Sequence, residues 1–246
     1  MQNTQFSVEY ITETIGFDDD AIAVVIVAAG NATRMNGIDK IFAEIGGIPV
    51  IARTMLAFER CRKISNIIVV TRQECCSKVS LLAKDYMITK LTAVTVGGSN
   101  RQQSVLNGLK CLPENTERVL IHDGARPLID NETISKVVCA DGAFPCVVCG
   151  TKLKDTIKEQ NNNIVTKTFI RDKLISIQTP QRVSLDKYLP LIEKSVDDAN
   201  ITDDAGIMEN AGFEVYCVDG NERNIKITTM FDLKVAQFLL SEGMDG

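Results

Sequence analysis

The chain has 246 residues, 45% of them apolar, enough to bury a sizeable core, and it carries no low-complexity segment, internal repeat or linker. Its net charge of −5, with acidic and basic residues interspersed, excludes a nucleic-acid surface and requires any anionic substrate to be met by a local cluster of Lys and Arg. The longest apolar run, Ala21 to Ala29, is far short of the roughly 20 residues that span a bilayer, and residues 1–20 hold no Lys or Arg, so the expectation is a cytoplasmic protein with no membrane or nucleic-acid partner.

Residues 1–20 read as an N-terminal extension of unknown role, with Phe6, Val8 and Tyr10 alternating as a strand would. Residues 21–246 read as one domain. Ala21–Ala29 is a continuous apolar strand of the kind buried on both faces. Helical spacing follows over Pro49–Cys61, then a strand at Asn66–Thr71 and a helical stretch through Val79, Leu81 and Leu82. Leu91–Val96 is the third strand, Gln102–Cys111 the third helix, Arg118–His122 the fourth strand and Asn131–Ala140 the next helix. The fifth strand, Ala143–Cys149, contains a C-x-x-C spacing. Residues three apart on a strand point to opposite faces, so Cys146 and Cys149 are expected as core hydrophobes and not as a metal or disulfide pair.

Residues 151–170 break the strand–helix rhythm. Lys152–Lys158 and Ile164–Ile170 alternate polar with apolar around a turn at Asn161, Asn162 and Asn163, a hairpin with too little apolar surface to be central. This predicts an arm projecting from the sheet. The segment Ser176–Pro180 comes next, then helices near Leu185–Lys194 and Asp203–Ala211, a strand at Phe213–Val218 and a last helix from about Met230 to Leu240, opened by Thr229 with Asp232 in its first turn. Alternation of this kind predicts an α/β fold, Rossmann-like, with a mostly parallel sheet, helices on both faces and a protruding β-arm.

Three loops carry candidate chemistry. Ala28-Ala29-Gly30 ends the first strand and is followed by Arg34 and Lys40. Backbone N–H groups at a strand's carboxyl end cradle phosphate oxygens, and each added cation at 4 Å is worth about 4 kcal/mol at an effective dielectric of 20. Taken alone, the same residues fit a βα turn with two solvated basic side chains. The loop has no Gly-Lys-Ser/Thr and lacks the further glycines of G-x-G-x-x-G, which argues against a P-loop and a dinucleotide site. Asp123, at the end of the fourth strand in His122-Asp123-Gly124-Ala125-Arg126-Pro127, is a lone carboxylate suited to Mg²⁺ together with substrate phosphates. His122 is the only histidine, which excludes a multi-histidine metal site, and it reads as a positioned neighbour of Asp123. Gly97-Gly98-Ser99, ahead of a helix that includes Ser104, leaves room for a flat base or for an ordinary capped turn.

In this order and spacing the chain resembles the 2-C-methyl-D-erythritol 4-phosphate cytidylyltransferase family over nearly its whole length from residue 21. The resemblance rests on AAG…RM…K (28–40), GG..RQQSV..GL (97–109), HDGARP (122–127), KDT.K (154–158), Arg171, TPQ (179–181), TDDA (202–205) and NIKIT (224–228). It implies a nucleotide-diphospho-sugar transferase-like fold and transfer of CMP from CTP to a polyol phosphate with Mg²⁺. Arg34, Lys40 and Lys226 would then be catalytic. Ala28, Ala29, Gly30, Gly98, Ser99, Ser104 and Gly124 would hold the nucleotide and Asp123 the magnesium. Arg126, Thr156, Arg171 and Thr179 would hold the acceptor, with 151–170 a dimerisation arm of a homodimer. Family members usually carry Pro where Val27 stands, Gly at Ala32 and often Pro-Lys-Gln at Asp39-Lys40-Ile41, differences that make the loop stiffer and more acidic but remove no catalytic charge. A cytidylyltransferase for another polyol phosphate, such as ribitol 5-phosphate, would share these nucleotide loops, and a non-catalytic nucleotide-binding domain would share them without turnover.

Overall fold

The computed structural model describes residues 6–7, 21–30, 39–198 and 200–242. Its centre is an eight-stranded sheet built from β1 (Phe6–Ser7), β2 (Ile22–Val27), β5 (Ile64–Thr71), β6 (Leu91–Val96), β7 (Arg118–Asp123), β8 (Cys146–Lys152), β11 (Ile175–Ser184) and β12 (Val215–Asp219). The order across the sheet is β1-β6-β5-β2-β7-β11-β8-β12. The pairs β6–β5, β5–β2, β2–β7 and β8–β12 are parallel, while β1 and β11 run antiparallel to their neighbours. Two short hairpins lie outside this sheet: β3 (Glu44–Ile45) with β4 (Ile48–Pro49), and β9 (Lys158–Asn161) with β10 (Ile164–Thr168).

Apolar residues alternate along the central strands and feed two separate cores. In β2, Ile22, Val24 and Ile26 face one layer, with Met55 and Phe58 of α1 (Val50–Glu59), Val79 of α2 (Cys76–Asp85) and Ile134 of α4 (Asn131–Cys139). Ala23 and Val25 face the other, with Val105 of α3 (Arg101–Leu109), Tyr188 of α5 (Leu185–Ser195) and Met208 of α6 (Asp204–Asn210). Cys146 and Cys149 follow the same rule: the first belongs to the second core, the second to the first, and burial pushes both thiols up to about 12. α7 (Met230–Ser241) begins with the expected cap, Thr229 Oγ1 accepting from Asp232 N–H and Asp232 Oδ2 accepting from Thr229 N–H.

The structure departs from the sequence reading in four places. Of the first twenty residues, Phe6–Ser7 form an edge strand against β6, while Val8 and Tyr10 lie outside the described residues. The β3–β4 hairpin turns on Gly46 and Gly47, both at positive φ, a Gly-Gly signal for a two-residue turn. β8 runs on to Lys152, so the arm proper is β9–β10, turning at Asn162 and Asn163 with φ of 47° and 66°. Ser176–Pro180 is the first half of a ten-residue strand that continues through Gln181, Arg182 and Val183 and is paired on both sides.

Candidate active site

The carboxyl ends of β2, β6 and β7 point the same way, and their loops close a cavity of about 500 Å³. Ladder-like bonds carry each strand past its end: Ala28 N–H donates to Val70 O (2.7 Å), Gly97 N–H to Thr71 O (2.8 Å) and Gly124 N–H to Val27 O (2.8 Å). The two alanines of the first loop sit against the two glycines. A Cβ on Gly97 would fall 2.3 Å from Ala29 Cβ, and one on Gly124 would fall 2.9 Å from Ala28 Cβ. Gly124 therefore makes room for the floor, and its neighbour Ala125 lines the cavity in its place. Ala28, Ala29, Gly30, Lys40, Gly98, Ser99, Ser104, Asp123 and Lys226 all line this space. Ser104 Oγ holds the glycine loop, accepting from Gly98 N–H (3.0 Å) and donating to Asn100 O (2.8 Å). Arg34 lies outside the described residues.

A second cavity of about 240 Å³ adjoins the first and shares Arg101, Asp123 and Lys226 with it. It adds Arg126 and Thr179, together with Gln178, Gln181, Thr202 and Asp203. Lys226 reaches this junction because Ile227 is buried under α7 and its N–H donates to Ala125 O (2.8 Å). Arg126 is fixed by donating from Nη1 to Asn224 O (2.8 Å).

Charge at the junction is arranged around Asp123. Lys226 Nζ lies 2.9 Å and Arg126 Nε 3.5 Å from Asp123 Oδ2, and Arg101 Nε lies 3.9 Å from Oδ1. Burial alone would raise this carboxyl's pKa, but Lys226, Arg101 and Arg126 together outweigh it and hold the group well below the usual carboxylate range. Among the described residues, Asp123 is the only carboxylate lining the larger cavity, against the cations Lys40, Arg72, Arg101 and Lys226. That excess suits a polyphosphate.

Two of these cations were not singled out from sequence. Arg101 makes a two-point bond to Asp204 (3.0 and 2.5 Å), and Tyr188 O–H also donates to Asp204 (2.6 Å), so the guanidinium is presented to both cavities at a fixed angle. Burial works against its charge, and Asp204 more than restores it, raising the pKa above the ordinary arginine value. The strict G-G-x-x-R spacing ahead of a helix was the available signal. Arg72 donates to Gly30 O (3.3 Å) and pairs with Asp39, so one side chain ties both ends of the 30–39 loop. Asp39 Oδ1 in turn accepts from Ile41 N–H (3.2 Å), bracketing Lys40. The extra acidity expected of this loop is thus neutralised locally.

Thr156 and Arg171 are not brought to the site of their own chain. Both are exposed in the arm region, where Arg171 Nη1 donates to Lys154 O (2.8 Å). Among the described residues no group of three or more His, Cys, Asp or Glu is placed to hold a metal. Asp203 and Asp204 are committed elsewhere: Asp203 caps α6 through Gly206 N–H (3.0 Å) and accepts from Gln181 Nε2 (2.8 Å). Asp123, a single carboxylate facing the cation-rich cavity, fits a Mg²⁺ that takes one carboxylate and fills its remaining positions with phosphate oxygens and water.

The family model described as 2-C-methyl-D-erythritol 4-phosphate cytidylyltransferase matches residues 22–242. A curated relative of that name from Dehalococcoides mccartyi is 41% identical over 230 residues, covering 92% of this chain and 99% of the relative. Another from Geobacillus kaustophilus is 38% identical over 222 residues, covering 89% and 97%. Among solved structures, the 4-diphosphocytidyl-2C-methyl-D-erythritol synthase of Anaerococcus prevotii superposes with a TM-score of 0.80 at 32% identity, covering 91% of this chain and 97% of that one. The Francisella tularensis 2-C-methyl-D-erythritol 4-phosphate cytidylyltransferase gives 0.74 at 26% identity, covering 89% and 99%.

Proposed function

Because this chain belongs to the 2-C-methyl-D-erythritol 4-phosphate cytidylyltransferase family, we propose that it transfers CMP from CTP to 2-C-methyl-D-erythritol 4-phosphate and releases pyrophosphate, a step of non-mevalonate isoprenoid biosynthesis. The observation that carries the reading is the pair of adjoining cavities whose common wall is Arg101, Asp123 and Lys226. The larger, cation-rich space takes the nucleoside triphosphate and the smaller one the acceptor. Their phosphates then meet at the shared charges.

The reaction needs no protein nucleophile. An oxygen of the acceptor's phosphate forms a bond to the α-phosphorus of CTP in line with the bond that breaks, and pyrophosphate leaves with that electron pair. Catalysis is positioning and neutralisation of a charge-rich transition state. Lys40 and Arg72 face the triphosphate, Arg101 and Lys226 the point of transfer, and Arg126 the acceptor. Arg34 joins the triphosphate ligands by its place between Gly30 and Lys40 in sequence. Mg²⁺ held by Asp123 would supply Lewis-acid neutralisation of the phosphates.

Quaternary structure is part of this proposal. The arm carries exposed Ile164, Val165 and Ile170, and two strands alone are marginal in water. A second copy of the chain is the proposed partner, its Thr156 and Arg171 completing the acceptor site across a twofold axis. The enzyme is proposed to be cytoplasmic; among the described residues no helix is long and apolar enough to cross a membrane. The direct test is pyrophosphate release from CTP, measured in parallel with 2-C-methyl-D-erythritol 4-phosphate and ribitol 5-phosphate. Turnover with the first acceptor supports the proposal. Turnover with ribitol 5-phosphate alone moves the assignment to the other polyol, and CTP binding without release with either refutes catalysis.

A further inference from the structure

The connection from α5 to α6 carries Thr202 and Asp203 to the smaller cavity, and two buried glutamines fasten it from opposite sides. From β11, Gln181 Oε1 accepts from Asp204 N–H and Ala205 N–H (both 3.0 Å), and its Nε2 donates to Asp203 Oδ2 (2.8 Å). From α3, Gln102 Nε2 donates to Asp198 O (3.1 Å) and Ile201 O (3.0 Å). Carbonyls only accept, so both amide hydrogens of Gln102 are engaged by this connection. Thr202 lies between the two anchors with its own side chain exposed. The neighbours of Gln102 reach the same stretch of chain. Asn100 Nδ2 donates to Val196 O (2.8 Å) while its Oδ1 caps α3 by accepting from Gln103 N–H (2.8 Å), and Arg101 pairs with Asp204. The helix whose leading loop lines the larger cavity thus also holds a wall of the smaller one.

Gln102 itself lines neither cavity. Within the connection, Ile201 N–H reaches Asp198 O at 3.3 Å, and Asn200 N–H and Nδ2 both donate to Asp198 Oδ1 (2.9 and 3.0 Å). Those bonds shape the turn without attaching it to anything else. Ile201 packs against the second core, a contact that sets depth but no direction. Ahead of Thr202, the Gln102 amide is what fixes the turn in orientation, and behind it Gln181 does the same. We propose that Gln102 is a positioning residue for the acceptor, which acts from the nucleotide-loop helix by holding Thr202 toward the smaller cavity. The inference rests on the reading of that cavity as the acceptor site.

Two measurements test it, and the first needs no substrate. Gln102→Met keeps the length of the side chain and removes both donors. Hydrogen exchange on the intact protein should then quicken about tenfold at the Ile201 and Thr202 amides, the scale of one or two lost hydrogen bonds, and stay unchanged in β11. Unchanged exchange at Ile201 and Thr202 overturns the proposal whether or not the protein turns over the expected acceptor. In the assay, Gln102→Met should raise the acceptor KM about tenfold, with kcat and the KM for CTP each within about twofold. An equal rise in the KM for CTP, or a fall in the urea midpoint with both KM values unchanged, overturns it. Thr202→Val should raise the acceptor KM by itself, and in that background Gln102→Met should add less than about twofold. Additive effects mean that Gln102 does not act through Thr202, and also overturn it. Wild-type protein that turns over no such acceptor refutes the reading of the cavity, while hydrogen exchange still decides the tether. Should Gln102→Met fail to fold, Gln102→Asn takes its place with the same expected directions, since an amide one methylene shorter cannot span both carbonyls.

Discussion

Lys226 Nζ stands 2.9 Å from Asp123 Oδ2, and the two come from segments about a hundred residues apart that meet where the two cavities join. Arg126 Nε also approaches Oδ2, at 3.5 Å, and Arg101 Nε stands 3.9 Å from Oδ1, so three cations from three segments converge on one carboxylate. Asp123→Asn keeps the shape and removes the charge. The Mg²⁺ concentration for half-maximal activity should rise by about tenfold or more, since a single carboxylate is the only protein ligand of the proposed ion. An unchanged Mg²⁺ titration would place the metal elsewhere.

Lys40 is bracketed by Asp39 and Ile41, and Arg72 holds that turn to Gly30. Lys40→Ala should lower kcat by about 10²–10³, the usual loss of one transition-state donor, with CTP affinity falling much less. Arg72→Ala should raise the KM for CTP by about tenfold, because it leaves the Asp39 carboxylate uncompensated beside the triphosphate. If Arg72 acts through Asp39, the double variant Arg72→Ala/Asp39→Ala recovers most of that loss. A double variant no better than Arg72→Ala makes Arg72 a direct phosphate ligand.

The neutral, buried His122 has a consequence for stability. Its folded pKa of about 4 lies below the ordinary 6.5, so between those values the unfolded chain binds the extra proton. The contribution is fully present above pH 6.5 and is lost as pH falls toward 4, at about 1.4 kcal/mol per pH unit inside the window. Asp123, with its depressed pKa, acts only at lower pH. Urea midpoints at pH 7 and pH 5 should therefore differ clearly. Equal midpoints would mean the ring is solvated or protonated in the native state.

Arm exchange gives a test of the dimer. Assayed at a Mg²⁺ concentration that just saturates the wild-type enzyme, Asp123→Asn and Arg171→Ala should each be nearly inactive, and mixing them under conditions that exchange subunits puts the intact arm of the first beside the intact core of the second. Random exchange makes about half the dimers mixed, with one good site each, so about a quarter of wild-type activity should return. If Arg171 serves its own subunit, mixing restores nothing.

Strand–helix alternation and the three loops at the carboxyl ends were legible because apolar runs such as Ile22–Val27 carry their own period. β11 was not. Its second half contains Pro180, Gln181 and Arg182, which by composition argue against a central strand. The structure resolves the conflict locally. A register slip accommodates the proline, and the Arg182 guanidinium donates to the carbonyls of Val138, Ala140, Asp141 and Phe144 at 2.7–3.3 Å. Arg72 and Arg101 escaped notice for a related reason: their roles depend on Asp39 and Asp204, partners 33 and 103 residues away that no local pattern connects.

Cys146 and Cys149 are three residues apart on one strand, yet each thiol belongs to a different helical layer. A bulky alkylating reagent reaches neither until the helices over that face lift away. Peptide mapping of slow alkylation under native conditions would therefore clock the two faces of the sheet separately. Matched rates would mark an all-or-none opening, and a faster Cys146 would identify the α3, α5 and α6 side as the first to part.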